Sequence, residues 1–338
     1  MKKYSQSIKT VAVGIILLFL GTCIIPAIAQ ETEKPLPASK GNTLYVGGSG
    51  PGNYTTIQAA VDNASDGDTV FVFDDSSPYD ECIVVTKSLI IQGENKSTTI
   101  IDSGYFNISA DHVTVTGFTI QNSETCLFID YYGYNTISNN IIIYITPGYG
   151  IVVYGHDNII IGNDVSQNKN NSQDQEYSPG IIVAGPNNNI SYNTIHDNSV
   201  GICLTATNGT EIYRNTIKGN FDFGIFCINP SSDTIKQNNF LDNKKNVHVL
   251  RFITEGRFEP TIHLPILPAI FEGNYWDKSR ILPYPIGGLF VVSLFVRLYV
   301  WHRLFGVETA LKLFYNYSNF VRFDWHPAQE PYDIPEIS

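Results

Sequence analysis

The chain has 338 residues, a formal charge of −11 and a sequence pI near 5.0. Hydrophobic residues make up 43% of it, enough to bury a sizeable core, which excludes an intrinsically disordered chain. The acid excess argues against nucleic acid or an anionic membrane as the main partner, because neutralising phosphate takes lysine and arginine.

Lys2, Lys3 and Lys9 frame the entry to an apolar run from Val11 to Leu20, and Ala27-Ile28-Ala29 offers small residues at a cleavage point before Gln30. That is the plan of a signal peptide over residues 1–29, and the run is short for a transmembrane helix, which takes about 20 residues. An uncleaved anchor and a lipoprotein attached through Cys23 are the alternatives. Loss of the leader removes three lysines and no acid, taking the charge from −11 to −14. The chain is therefore expected outside the cytoplasm, extracellular or at the cell surface. Cys82, Cys126, Cys203 and Cys227 then remain, without zinc-site spacing; export permits disulfides, and buried thiols fit equally. Asn53, Asn63, Asn95, Asn107, Asn170, Asn189, Asn208 and Asn316 each open an N-x-S/T sequon, in keeping with export. Residues 30–42 read as a linker and 43–277 as one domain.

Between residues 113 and 243 one unit recurs. With Val115, Ile137, Ile160, Ile190, Ile212 and Ile235 as anchors, the spacings are 22, 23, 30, 22 and 23 residues. Three positions after an anchor come Asn140, Asn163, Asn193, Asn215 and Asn238. Five after come Ile142, Val165, Ile195, Ile217 and Phe240. Eight after come Asn168, Asn198, Asn220 and Asn243. Gly150, Gly180, Gly201 and Gly224 open a further short strand, each as Gly-Ile. A unit this short cannot bury its own apolar face, so units must stack and place identical positions above one another. The Ile and Val runs predict strands with alternate residues inward. The asparagines are expected to be corner residues, tolerant of left-handed backbone and bonded to their copies above and below. Leucine-rich repeats share the period but carry a leucine framework that is absent here. The fold class expected is all-β: a single-stranded right-handed parallel β-helix, with Lys169–Tyr177 as an inserted loop.

Residues 54–93 carry Ile57, Ala60 and Val61 in a helical pattern, then Asp66-Gly67-Asp68-Thr69-Val70, Tyr79-Asp80-Glu81-Cys82-Ile83 and Lys87 to Gly93. This stretch resembles the N-terminal end of pectin-lyase-like β-helix proteins, which implies a short helix capping the open end of the solenoid. The repeats, together with Phe271-Glu272-Gly273-Asn274-Tyr275-Trp276-Asp277, resemble the NosD-like group of surface β-helix proteins. The resemblance spans roughly residues 43–277 and implies the fold; function varies widely on this scaffold.

Lyases of this fold are expected to set a basic residue beside a calcium site of stacked carboxylates. Here the recurring acid column is Asp197 and Asp242 with Gly219 between, and Asp130, Asp157, Asp164, Asp222 and Asp233 fall in other registers. Calcium is the ion such a site would take, yet no metal or cofactor is expected. Hydrolase chemistry needs paired carboxylates. The nearest arrangement is Gly155-His156-Asp157, with Asp130 expected one coil below; solvated corner residues are the plainer reading. Copper handling, which the NosD-like resemblance suggests, would call for imidazole or sulfur ligands. Met1 is the only methionine, and His112, His156, His196, His248, His263, His302 and His326 share no column.

In the Gly-Ile strands, Ile151, Val153, Ile181, Val183, Ile202, Leu204, Ile225 and Cys227 are expected inward. Val152, Ile182, Cys203 and Phe226, with Phe128 below, then form an outward apolar strip that should not stay wet. Asp130, Tyr154, Ala184, Thr205 and Ile228 form the column beside it. A carbohydrate stacking on Phe128, Tyr131, Tyr154 and Phe226, or the chain's own C-terminal segment, would cover the strip. Residues 278–338 leave the repeat. The apolar run Ile286–Val300 is too short to span a membrane, and Leu294–Phe314 has the pattern of an amphipathic helix, giving a partly helical extension. It is expected to cap the last coil, with membrane-surface contact through residues 281–323 as the alternative. The functional expectation is a glycan-binding or structural envelope protein. A polysaccharide lyase, hydrolase or epimerase is the alternative, and a copper-site maturation factor the third reading.

Overall fold

A computed structural model describes residues 41–144, 148–167, 178–254, 270–277, 284–293, 315–324 and 327–335. The chain is a right-handed parallel β-helix. From Ile90 to Ser293 each coil contributes one strand to each of three sheets, and with the strands at the two ends the described strands number ten, eight and ten. In the first sheet Ile137 pairs with Val115 below and Ile160 above, and the pairing continues through Ile190, Ile212 and Ile235 to Phe271. The second sheet stacks Ile120, Ile142, Val165, Ile195, Ile217 and Phe240 in the same way. The third stacks Leu127, Ile151, Ile181, Ile202 and Ile225. Apart from Phe271, which is 8% exposed, these side chains are fully buried and fill the solenoid's interior.

The asparagines hold the corners. Asn163 Nδ2 donates to Asn193 Oδ1 (3.0 Å) and to Ile137 O (2.9 Å), while Asn163 N donates to Asn193 Oδ1 (2.9 Å). The same set links Asn140 to Asn163, Asn193 to Asn215, Asn215 to Asn238 and Asn238 to Asn274. A second file joins Asn198 to Asn220 and Asn243; Asn168 lies outside the described residues. The left-handed backbone, however, belongs to the residue before each ladder asparagine. Asn139, Gly162, Tyr192, Arg214 and Gln237 precede the first file, and Asp197, Gly219 and Asp242 the second, all with φ between 51° and 67°. The short chains at 197, 219 and 242 are thus turn formers, since Gly and Asp tolerate that region. The sequence reading assigned both jobs to one residue; the backbone divides them between two neighbours.

A third file was not anticipated. Val113 N donates to Asn135 Oδ1, Asn135 N to Asn158 Oδ1 and Asn158 N to Asn188 Oδ1 (2.8–2.9 Å). Higher up, Asp233 takes the asparagine's place: its carboxylate accepts from Thr210 N, Thr207 Oγ1 and Ser231 N, and it is fully buried.

The helix Ile57–Asn63 closes the N-terminal end. Its first N–H groups, at Ile57 and Gln58, donate to the Glu81 carboxylate (2.9 and 3.0 Å), and Lys87 Nζ donates to the carbonyls of Val61, Asp62 and Ala64 near its other end. Both charges match the helix dipole. Gly93 has a steric cause: a Cβ there would lie 2.2 Å from Gly117 O. At the far end Trp276 stacks on Phe240 (4.5 Å between ring centroids, 6° between planes). Tyr284–Ser293 then adds a parallel strand to the third sheet, and Tyr315–Asp324 pairs with it antiparallel. Part of the apolar run is therefore strand; the expected helix at 294–314 lies outside the described residues, as does the Lys169–Tyr177 loop. Tyr332 exchanges two 2.8 Å hydrogen bonds with the Asn239 side chain and donates through its hydroxyl to Gly273 O, so the tail lies against the last coils. Among the described residues no helix is long and apolar enough to cross a membrane.

Candidate functional site

The outer face of the third sheet follows from strand alternation. Val84, Asn107, Phe128, Val152, Ile182, Cys203, Phe226 and His248 stand in one register-matched column. Val152 and Cys203 are 4% and 2% exposed despite facing outward, and Phe128, Ile182 and Phe226 are half-buried. The apolar part of the strip is thus largely dry. Asp130 and Tyr154 open the neighbouring column, as expected from the register.

Around Phe128 this face forms an open groove of about 500 Å³. Its floor is Cys82, Tyr105, Asn107 and Phe128 on three successive coils. Its wall is formed by Ser103 in the turn of one coil and Asn122, Ser123 and Glu124 in the turn of the next, with Thr125 opening the strand that follows. Beside it Tyr154 meets the Phe128 ring edge-on (5.4 Å), and Tyr131 stacks on Tyr154 (6.1 Å, 27°). Tyr131 is 76% exposed and Tyr154 40%. Three of the four aromatics expected to meet carbohydrate therefore form one contiguous platform. Phe226 does not join it: it lies four rungs away, about 19 Å at ordinary strand spacing, and stacks instead with Phe223 and His248. Tyr105, Glu124 and Asn122 were not singled out from sequence, and Asn107 only as a sequon, because their approach to one another depends on irregular turns that the repeat does not specify.

The expected acid pair does not form. The residue against His156 from the coil below is Gly133, whereas Asp130 stands beneath Tyr154. His156 Nδ1 lies 2.9 Å from Asp157 Oδ2, and Asp157 occupies the left-handed corner before Asn158, with φ of 53°. The pKa of Asp233 is raised, chiefly by burial. His196 is raised, first by its 3.0 Å contact with Asp164 and also by Asp197 at 3.0 Å. Burial pushes the Cys126 thiol up to about 12 and Cys227 well above its usual value.

No disulfide joins the described cysteines; Cys203 pairs with Phe226 on the outer face while Cys227 points inward, as the register implied. The described imidazoles are dispersed: His112 stacks on Tyr134, His196 sits between Asp164 and Asp197, and His248 stacks on Phe223 and Phe226. No three His, Cys, Asp or Glu side chains among the described residues converge as metal ligands.

The model of a family described as periplasmic copper-binding protein (NosD) matches residues 61–280. The chain belongs to the NosD family. A periplasmic family agrees with an exported or envelope location. Its copper-binding description finds no counterpart in the described donors: two thiols are interior and protonated, and the imidazoles share no site. Among solved structures, an alginate lyase from Paenibacillus sp. str. FPU-7 is 15% identical, with a TM-score of 0.51 over 70% of this chain and 88% of that one. Pectate lyase Pel9A is 13% identical, with a TM-score of 0.45 over 70% and 75%. At such identities the alginate lyase shows a common fold. Curated proteins gave no match.

Proposed function

We propose that this NosD-family chain is an exported carbohydrate-binding protein, released from its leader at residue 29, whose binding site is the groove at Phe128. The observation that carries this reading is the joining of a concave, amide-lined groove to an exposed ring platform of Phe128, Tyr154 and Tyr131. Sugar rings present apolar C–H faces and polar hydroxyl edges. Aromatic faces suit the first, and Asn and Ser side chains that both donate and accept suit the second. Binding pockets combine apolar walls with a few placed polar groups in this way. A binding role needs no carboxylate pair, which agrees with the separation of Asp130 from His156 and Asp157.

Titration calorimetry of the mature chain against an oligosaccharide panel tests the proposal. Phe128→Ala is expected to weaken binding about tenfold or more, as loss of a central aromatic anchor does, while Phe226→Ala leaves it unchanged. Equal losses in both variants would remove the groove from consideration. Release of reducing ends or unsaturated products from any polymer would replace binding with catalysis.

A further inference from the structure

Resting on the groove as a sugar site, we infer that its ligand is an amino-sugar glycan rather than the uronate polymers that the lyases sharing this fold act upon. The argument is electrostatic. Among the described residues, Glu124 is the one carboxylate lining the groove and no lysine or arginine lines it; Glu124 is exposed and makes no salt bridge there. Asp130 follows on the same outer face, one coil beneath Tyr154, likewise without an ion pair there. The two lysines nearest along the chain point elsewhere: Lys87 donates to three carbonyls at the capping helix, and Lys96 Nζ to Asn139 Oδ1 at another corner. Asp102 accepts from the Gln121 and Asn122 side chains, so it adds negative charge behind the wall and orients the Asn122 amide.

A polymer with one carboxylate per sugar would bring like charge against Glu124 and Asp130, with no lysine or arginine among the described lining residues to meet it. Calcium could bridge such a pair only if ligands converged, and the described residues hold no such group. A protonated amine meets the same wall with opposite charge. It would donate a charge-assisted hydrogen bond to Glu124, stronger than a hydroxyl gives, while the ring faces still meet Phe128 and Tyr154. Such a pair of unlike charges at a partly exposed surface is worth on the order of tenfold in affinity.

The test uses the full mature chain at low ionic strength and mildly acidic pH, where the amine carries its proton. The probes are a glucosamine tetramer, its neutral glucose counterpart, and an oligouronate with and without calcium. The glucosamine tetramer is expected to bind about tenfold tighter than the neutral one, with the advantage lost in Glu124→Gln and reduced by salt; the oligouronate is expected to bind weakest. Uronate binding equal to or stronger than neutral binding, with or without calcium, overturns the inference alone. So does an amine advantage that survives Glu124→Gln. Binding of none of the probes overturns the sugar site itself.

Discussion

The corner files and the outer face of the third sheet obey opposite rules. Along the first file every coil from Asn140 to Asn274 repeats the same side chain, because each amide's partner is its own copy one coil away. Along the outer column no residue type recurs on adjacent coils: Val84, Asn107, Phe128, Val152, Ile182, Cys203, Phe226, His248. Repetition marks positions that bond within the stack, and variation marks positions that face something else. The groove lies on this varying face.

Three substitutions sharpen this contrast. Asn193→Ala removes a buried amide and leaves Asn163 N–H without its acceptor and Ile160 O without the amide donor, while Asn163 Nδ2 keeps Ile137 O. Orphaned buried groups cost about 1–3 kcal/mol each, so a loss of about 3 kcal/mol or more is expected in denaturant unfolding. A loss no larger than that of an outer-face substitution would break the contrast. Asp233 is smaller in effect and sensitive to pH. Its raised pKa means that the folded state holds the proton more tightly than the unfolded one. Its contribution is therefore greatest at low pH and declines as pH climbs from the ordinary carboxylate value through the raised one. Thermal melts of the parent and Asp233→Asn should diverge in the variant's favour across that window; parallel curves would show that the carboxylate is not desolvated.

The smallest effect is expected at His196, which lies on the second sheet's outer face between Asp164 and Asp197. Its raised pKa gives a contribution that is complete below the ordinary 6.5 and is lost as pH rises through the raised value. With side chains 31%, 48% and 42% exposed, the clamp should contribute under about 1 kcal/mol. His196→Gln should lower the melting point in mild acid and leave it unchanged in mild alkali.

The solenoid was legible because its causes recur: isoleucine at a 22- to 23-residue step is visible without coordinates. The third file was readable in principle, since Asn135, Asn158 and Asn188 each precede an anchor by two residues, but Thr210 and Asp233 break the letter while keeping the geometry. The groove was only half legible. Alternation put Phe128 and Tyr154 on one face, yet the approach of Glu124 and Asn122 depends on an irregular turn, and the fit of Tyr105 beside Cys82 on a register set outside the regular repeats. The run Tyr284–Ser293 is apolar without alternation, and periodicity cannot tell such a run from a helix.

In the first file each amide nitrogen donates one N–H to the amide oxygen of the coil that follows and another to a backbone carbonyl of the coil before. Each amide oxygen from Asn163 on receives from the coil before. The amide dipoles therefore align along the solenoid axis, and each polarises the next. Such a wire is worth more than its separate links: cutting it once weakens the bonds on either side, and a second cut beside the first has less left to remove.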